Sequence, residues 1–150
     1  MLRKKNKVDE NVINNIKTLQ KMKDQVWEIR TCYSSLGKNK LANTVKNICK
    51  TSDQIVKEVS INQEKITKVT VWTDFYLPSL LKMLQQYTNI TKNKLTGENC
   101  DDIRVAVEDM VPQIDIAFKK LLDSLYGADN IDIDTDIQVM LRKFNLEEIK

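Results

Sequence analysis

Asp74–Tyr87 reads DFYLPSLLKMLQQY, and the fold turns on what Pro78 does inside it. Ile66, Val69, Thr73, Tyr76, Leu80, Leu84 and Tyr87 recur at spacings of three and four. That spacing is one face of a helix, and it keeps phase through the proline. The pattern therefore predicts one continuous helix bent at Pro78. Proline has no N–H, and its ring crowds the carbonyl four residues back, here that of Asp74. Pro112 is expected to act likewise on Glu108 in the next helix.

Working outward, the same periodicity fills most of the chain. Upstream, Val12, Leu19, Val26 and Tyr33 form one seven-residue series. Met22, Ile29 and Leu36 form a second, and together they read as the seam of a helix packed at a shallow angle. Asp9 is expected to cap its start and Gly37 to close it. Leu41, Val45, Ile48, Ser52, Ile55 and Val59 mark a second helix. Ser60 and Gln63 have capping-box spacing, so Ser60 or Asn62 is expected to open the third. That helix fades near Lys94, with LTGEN as the turn. Ile103, Val107, Met110, Ile114, Phe118, Leu121 and Leu125 give the fourth, and Gly127 its stop. In GADNIDIDTDIQ, Ile131 and Ile133 alternate with Asp132 and Asp134, suggesting an extended connector. Asp134 or Thr135 would then cap a last helix to about Phe144.

The expected fold is all-α: an elongated antiparallel bundle of four long helices plus a short C-terminal helix, with the third and fourth kinked at proline. Residues 1–8 read as a basic flexible leader and 9–150 as one helical-bundle domain. The 150-residue length suits one domain. Three Gly and two Pro leave little for the tight turns of an all-β fold.

Net charge is +3, but it is split. Residues 1–50 carry 12 Lys/Arg against 4 Asp/Glu, and residues 97–150 carry 6 against 13. The two halves can complement each other inside the bundle, or the basic half can face an acidic partner or an anionic membrane surface. Only four of the 24 cations are Arg, so nucleic acid is not expected: Lys lacks the bidentate fork that reads bases.

Chemistry is sparse. No His is present, which removes the usual general base and the commonest metal ligand. Cys32, Cys49 and Cys100 are odd in number without CxxC spacing, so a reducing, cytoplasmic setting is expected and disulfides are not. No secretory apolar region or 18-residue apolar run is visible. No phosphate-binding Gly loop or nucleophile elbow occurs. Asp129, Asp132, Asp134 and Asp136 are the one acidic cluster to weigh. Asp132-Ile-Asp134-Thr is followed by Asp136 where a DxDx[TV] phosphotransferase motif has Thr or Val, and no EF-hand register supplies its Gly and Glu. Asp132, Asp134 and Asp136 remain weak metal candidates beside the plainer role of capping the last helix. No catalytic residue and no cofactor is expected. Glu98, Asp101 and Asp102 suit the positive end of the fourth helix. Trp27 and Trp72 lie near apolar seams, where core or rim packing competes with a partner surface.

TDFYLPSLLKMLQQY also resembles the aromatic-Tyr-Leu-Pro helix of the 5-bromo-4-chloroindolyl phosphate hydrolysis (XpaC-like) family. Tyr76, Leu77, Pro78, Leu80, Leu81, Leu84 and Tyr87 carry the likeness. Gly97, Glu98, Asn99, Ile114, Ala117, Phe118, Leu121 and Leu122 resemble its following helix, and Asp132, Asp136 and Ile137 its closing segment. The likeness spans residues 19–145. Tyr76, Leu77, Pro78, Tyr87 and Phe118 are its structural signature. Gln63 departs from a proline common in the family, and Pro112 is an addition. The resemblance implies either hydrolysis of an indolyl phosphate, with no catalytic motif to carry over, or a partner role beside toxic-anion (tellurite) resistance proteins. The first reading is a non-enzymatic protein-interaction scaffold. Phosphoester hydrolysis and peripheral membrane binding through the basic half stand as alternatives.

Overall fold

The computed structural model describes residues 2–127 and Arg142, with side chains from residue 10 onward. The connector and last helix expected after Gly127, with Asp129, Asp132, Asp134 and Asp136, lie outside the described residues.

Four helical rods make the bundle. Helix α1 is Leu2–Ser34 and helix α2 is Lys40–Ile61. The third rod is composite: a 3₁₀ segment Gln63–Val69, a π-helical turn Trp72–Tyr76, then α3, Leu77–Lys92. Helix α4 is Glu98–Ser124. No strand occurs among the described residues. At about 1.5 Å per residue, α1 is about 50 Å long and α2 about 33 Å, so α1 overhangs its neighbour.

Consecutive rods run antiparallel, but they are not neighbours in chain order around the bundle. Helix α1 packs on α2 and α3, while α4 packs on α2 and α3, placing α2 and α3 on opposite corners. Cross-rod contacts set the directions. Asn15 meets Gln63 and Lys21 meets Asp74, so α1 and the third rod are parallel neighbours. Tyr87 meets Glu108 and Lys68 meets Gly127, so the third rod and α4 are antiparallel.

The core follows the stripes. Leu19, Met22, Val26, Ile29, Val45, Ile48, Ile55, Val59, Val107, Ile114, Phe118 and Leu121 are all buried. Each fully buried aliphatic side chain contributes roughly 1.5–3 kcal/mol relative to exposure. Of the residues that carry the sequence resemblance, Tyr76, Leu77, Tyr87 and Phe118 are buried, and Pro78 is half-buried. Val12, expected on the seam, is exposed because α1 has outrun its partners there.

Every residue from Gln63 to Lys92 is helical, so the rod crosses Pro78 without a break. The device differs from the expectation. In the π turn the Leu77 N–H bonds to the Trp72 carbonyl, five residues back. The next donor in that register would be residue 78, a proline with no N–H. The Thr73 carbonyl is thus left without its backbone donor in that register. Thr73 is buried, so the group cannot turn to water. The Gln25 side-chain amide reaches across from α1 and donates to it at 2.9 Å. Pro112 lies inside α4, which also runs unbroken; it is exposed, as is Glu108, so water can serve the carbonyl there.

Several expected ends move. Helix α1 begins at Leu2, so Asp9 lies within it rather than at its start. It stops at Ser34, and Gly37 follows with φ +76°, the left-handed conformation that suits glycine. Asn39 caps α2, accepting from the Ala42 N–H at 2.8 Å. The Ser60–Gln63 capping box does not form. Ser60 is still within α2 and donates back to the Val56 carbonyl, while Asn62 donates to Glu58. Glu98 and Asp101 do open α4, where the helix dipole favours carboxylates.

Candidate interaction site

Helices that meet along apolar seams leave troughs where their outer flanks diverge. Two such hollows are informative. The first, of about 520 Å³, lies between α2, α3 and α4 and is lined by Asn39, Lys40, Leu41, Thr44, Tyr87, Glu108 and Pro112. Its polar groups are largely engaged. Asn39 caps α2, Thr44 donates to the Lys40 carbonyl, and the Tyr87 phenol donates to Glu108 at 3.0 Å. Burial, then the Glu108 carboxylate, raises the Tyr87 pKa, so the phenol acts as a hydrogen-bond donor. This hollow ties Tyr87 to α4.

The second hollow, of about 450 Å³, runs between α1 and α2 and is lined by Lys23, Val26, Trp27, Arg30, Asp53, Val56, Lys57 and Ser60. Val26 takes the core position, and the next residue is turned about 100° around the helix. That rotation lifts the Trp27 indole out of the core and over the trough, where it is 65% exposed. The buried Val26 and Val56 form the floor. Arg30, ion-paired to Asp53, also lines a smaller hollow of about 280 Å³ with Tyr33, Lys46, Cys49 and Lys50. The two hollows share Arg30, whose ion pair to Asp53 crosses from α1 to α2, and they are adjoining stretches of the α1–α2 groove: an apolar floor and aromatic ledge in the first, a basic rim along both. The two tryptophans thus part company: Trp72 is fully buried against Phe118, edge to face at 5.8 Å, while Trp27 faces solvent.

A smaller apolar patch lies on the α1 overhang, where Val12, Ile13 and Ile16 are 46%, 49% and 57% exposed. It sits N-terminal to Leu19, the first of the described α1 side chains in the core. Sequence periodicity alone placed Val12 on a seam and left Trp27 open between packing and a partner surface.

The chemistry expected of a catalytic centre does not assemble in these hollows. Among the described residues, no group of three or more His, Cys, Asp or Glu is placed to hold a metal ion. Burial pushes the Cys49 thiol up to about 11 and raises that of Cys32, aided there by Glu28. Both are held away from the nucleophilic thiolate form. No helix among the described residues is long and apolar enough to cross a membrane.

The family described as 5-bromo-4-chloroindolyl phosphate hydrolysis protein matches residues 2–140. The chain belongs to this family. The match takes in all four rods and extends the likeness upstream of residue 19, over the α1 overhang. Of the residues on which the sequence resemblance rests, Tyr76, Leu77, Tyr87 and Phe118 are core residues, and Pro78 stands in the first turn of α3. No curated protein and no solved structure matches the chain.

Proposed function

We propose that this bundle is a non-enzymatic interaction module whose working surface is the α1–α2 groove. One observation carries the reading: Trp27 stands 65% exposed on a groove wall above the buried Val26 and Val56. Large aromatic side chains over an apolar floor, ringed by polar groups, are the anatomy of a protein-binding hot spot. The family resemblance makes a toxic-anion resistance protein the first partner to examine. The test compares proteins co-purified from the source cell with wild type, Trp27→Ala and, as a control far from the groove, Ile116→Ala. A defined set lost at least ten-fold with Trp27→Ala alone supports the reading. Identical sets from all three refute it.

Hydrolysis of a phosphoester is the second reading, favoured by the description of the family that matches residues 2–140. Purified chain incubated with an indolyl phosphate and Mg²⁺, Mn²⁺ or Zn²⁺ decides it. Turnover that survives Trp27→Ala would replace the interaction reading with an enzymatic one.

A further inference from the structure

We infer that the occupant of the α1–α2 groove is an acidic amphipathic helix of a partner protein. The inference rests on the interaction reading and adds the chemistry of the partner. Five cations line the two joined hollows: Lys23, Arg30, Lys46, Lys50 and Lys57. The lining holds one carboxylate, Asp53, and it is committed to Arg30. Among the described residues, Lys23, Lys46, Lys50 and Lys57 have no ion-pair partner. Of the carboxylates beside the lining, Asp24 accepts from Gln20, and Glu58 is held by Lys65 and Asn62. The lining therefore carries five cations against one carboxylate, an excess of positive charge, and complementary charge supplies specificity and faster encounter.

Shape narrows the partner further. The groove extends from Lys23 to Tyr33 along α1, about 15 Å at 1.5 Å per residue, or roughly three helical turns. A helix laid in it would set one apolar face on Val26, Val56 and Trp27, which lie at one level of the trough, with carboxylates on its flanks meeting the lysines. A flat anionic bilayer cannot reach a floor recessed between two helices. Nucleic acid is a poorer match because the one Arg in the lining is tied to Asp53, leaving point-charge lysines.

The test places a photo-crosslinking aromatic residue at position 27, at Ile13 on the overhang and at Ile116 on α4, one at a time, in the source cell. Circular dichroism confirms that each variant is folded. The expected result is a recurrent crosslink from position 27 to one partner segment with excess Asp/Glu and helical apolar spacing. That product should fall at least ten-fold in the Lys23→Glu/Lys57→Glu background. A neutral or basic segment, a lipid or a nucleic acid at position 27 overturns the inference and leaves the groove as an interaction surface of another kind. A crosslink that survives charge reversal also overturns it. Specific crosslinks from Ile13 alone move the interface off the groove, which sinks the inference but not the idea of an interaction module. No crosslink from either position above the Ile116 background sinks both.

Discussion

Replacing Gln25 tests how the third rod passes its proline. Its amide is the donor found for the Thr73 carbonyl, the group that the π turn and Pro78 leave without a backbone N–H. Gln25→Leu keeps an apolar body in place and removes that donor. A buried carbonyl without a partner costs about 1–3 kcal/mol. Part is returned, because the Gln25 Oε1 is itself buried without a partner and disappears with the substitution. The expected net loss is about 1–2 kcal/mol, or about 2–8 °C in Tm for a chain of this size. The decisive measurement is a double-mutant cycle with Pro78→Ala. That second substitution restores an N–H one residue beyond Leu77, where it can serve the Thr73 carbonyl in the π register. In that background Gln25→Leu should cost under about 0.5 kcal/mol, giving a coupling near 1 kcal/mol or more. Urea unfolding followed by circular dichroism reads all four variants, with equal m-values confirming a shared unfolding transition. Additivity within about 0.5 kcal/mol would refute the argument that the proline creates the need for Gln25.

Three further expectations follow from the same structure. Gly97 caps α4 at φ +124° and ψ 163°, a region used almost only by glycine, and no atom lies within 4 Å of an added Cβ. Gly97→Ala should therefore cost about 1–3 kcal/mol through backbone strain alone, whereas Gly37→Asn at φ +76° should cost less than about 1 kcal/mol; urea midpoints compare them. Glu58 has its pKa lowered by the Lys65 hydrogen bond first and the Asn62 hydrogen bond second. A carboxyl depressed on folding stabilises above its unfolded pKa and loses that contribution as pH falls through the folded value. Glu58→Gln should flatten the acid limb of a Tm–pH curve, and an unchanged limb would show that the contact is inert. Cys49 is buried with its pKa raised to about 11, while Cys100 is partly exposed at the start of α4. Alkylation at mildly alkaline pH should label Cys100 first and Cys49 only on unfolding, as peptide mass spectrometry would show.

Much of the fold was legible because burial repeats with the helix. The stripe Val69–Thr73–Tyr76–Leu80–Leu84–Tyr87 is buried as its spacing predicts. The π turn was not legible, because one widened turn shifts the register by a single residue and the stripe is broad enough to absorb it. Trp72 and Leu77 are buried alongside Thr73 and Tyr76, so the pattern shows no gap. The arrangement of rods was hidden for a different reason. An apolar face says that a helix is packed, not which rod packs on it, and so the α1–α2 trough and the exposure of Trp27 needed the tertiary structure. Asn39 had a readable capping side chain, just before the apolar run beginning at Leu41. The failed cap at Ser60 shows the reverse: α2 runs on to Ile61, and a serine inside a helix bonds its own preceding turn.

The π turn also decides where the third rod tolerates a change of length. A π turn behaves like a one-residue insertion in an otherwise ordinary helix. Deleting one residue from Trp72–Tyr76 would let the rod close as a regular helix with Leu80, Leu84 and Tyr87 still on their core side. The same deletion within α3, where no wide turn takes up the slack, would rotate everything beyond it by about 100° and carry Tyr87 away from Glu108. Relatives that differ by one residue in length should therefore do so at the π turn, with the spacing from Leu77 to Tyr87 held fixed.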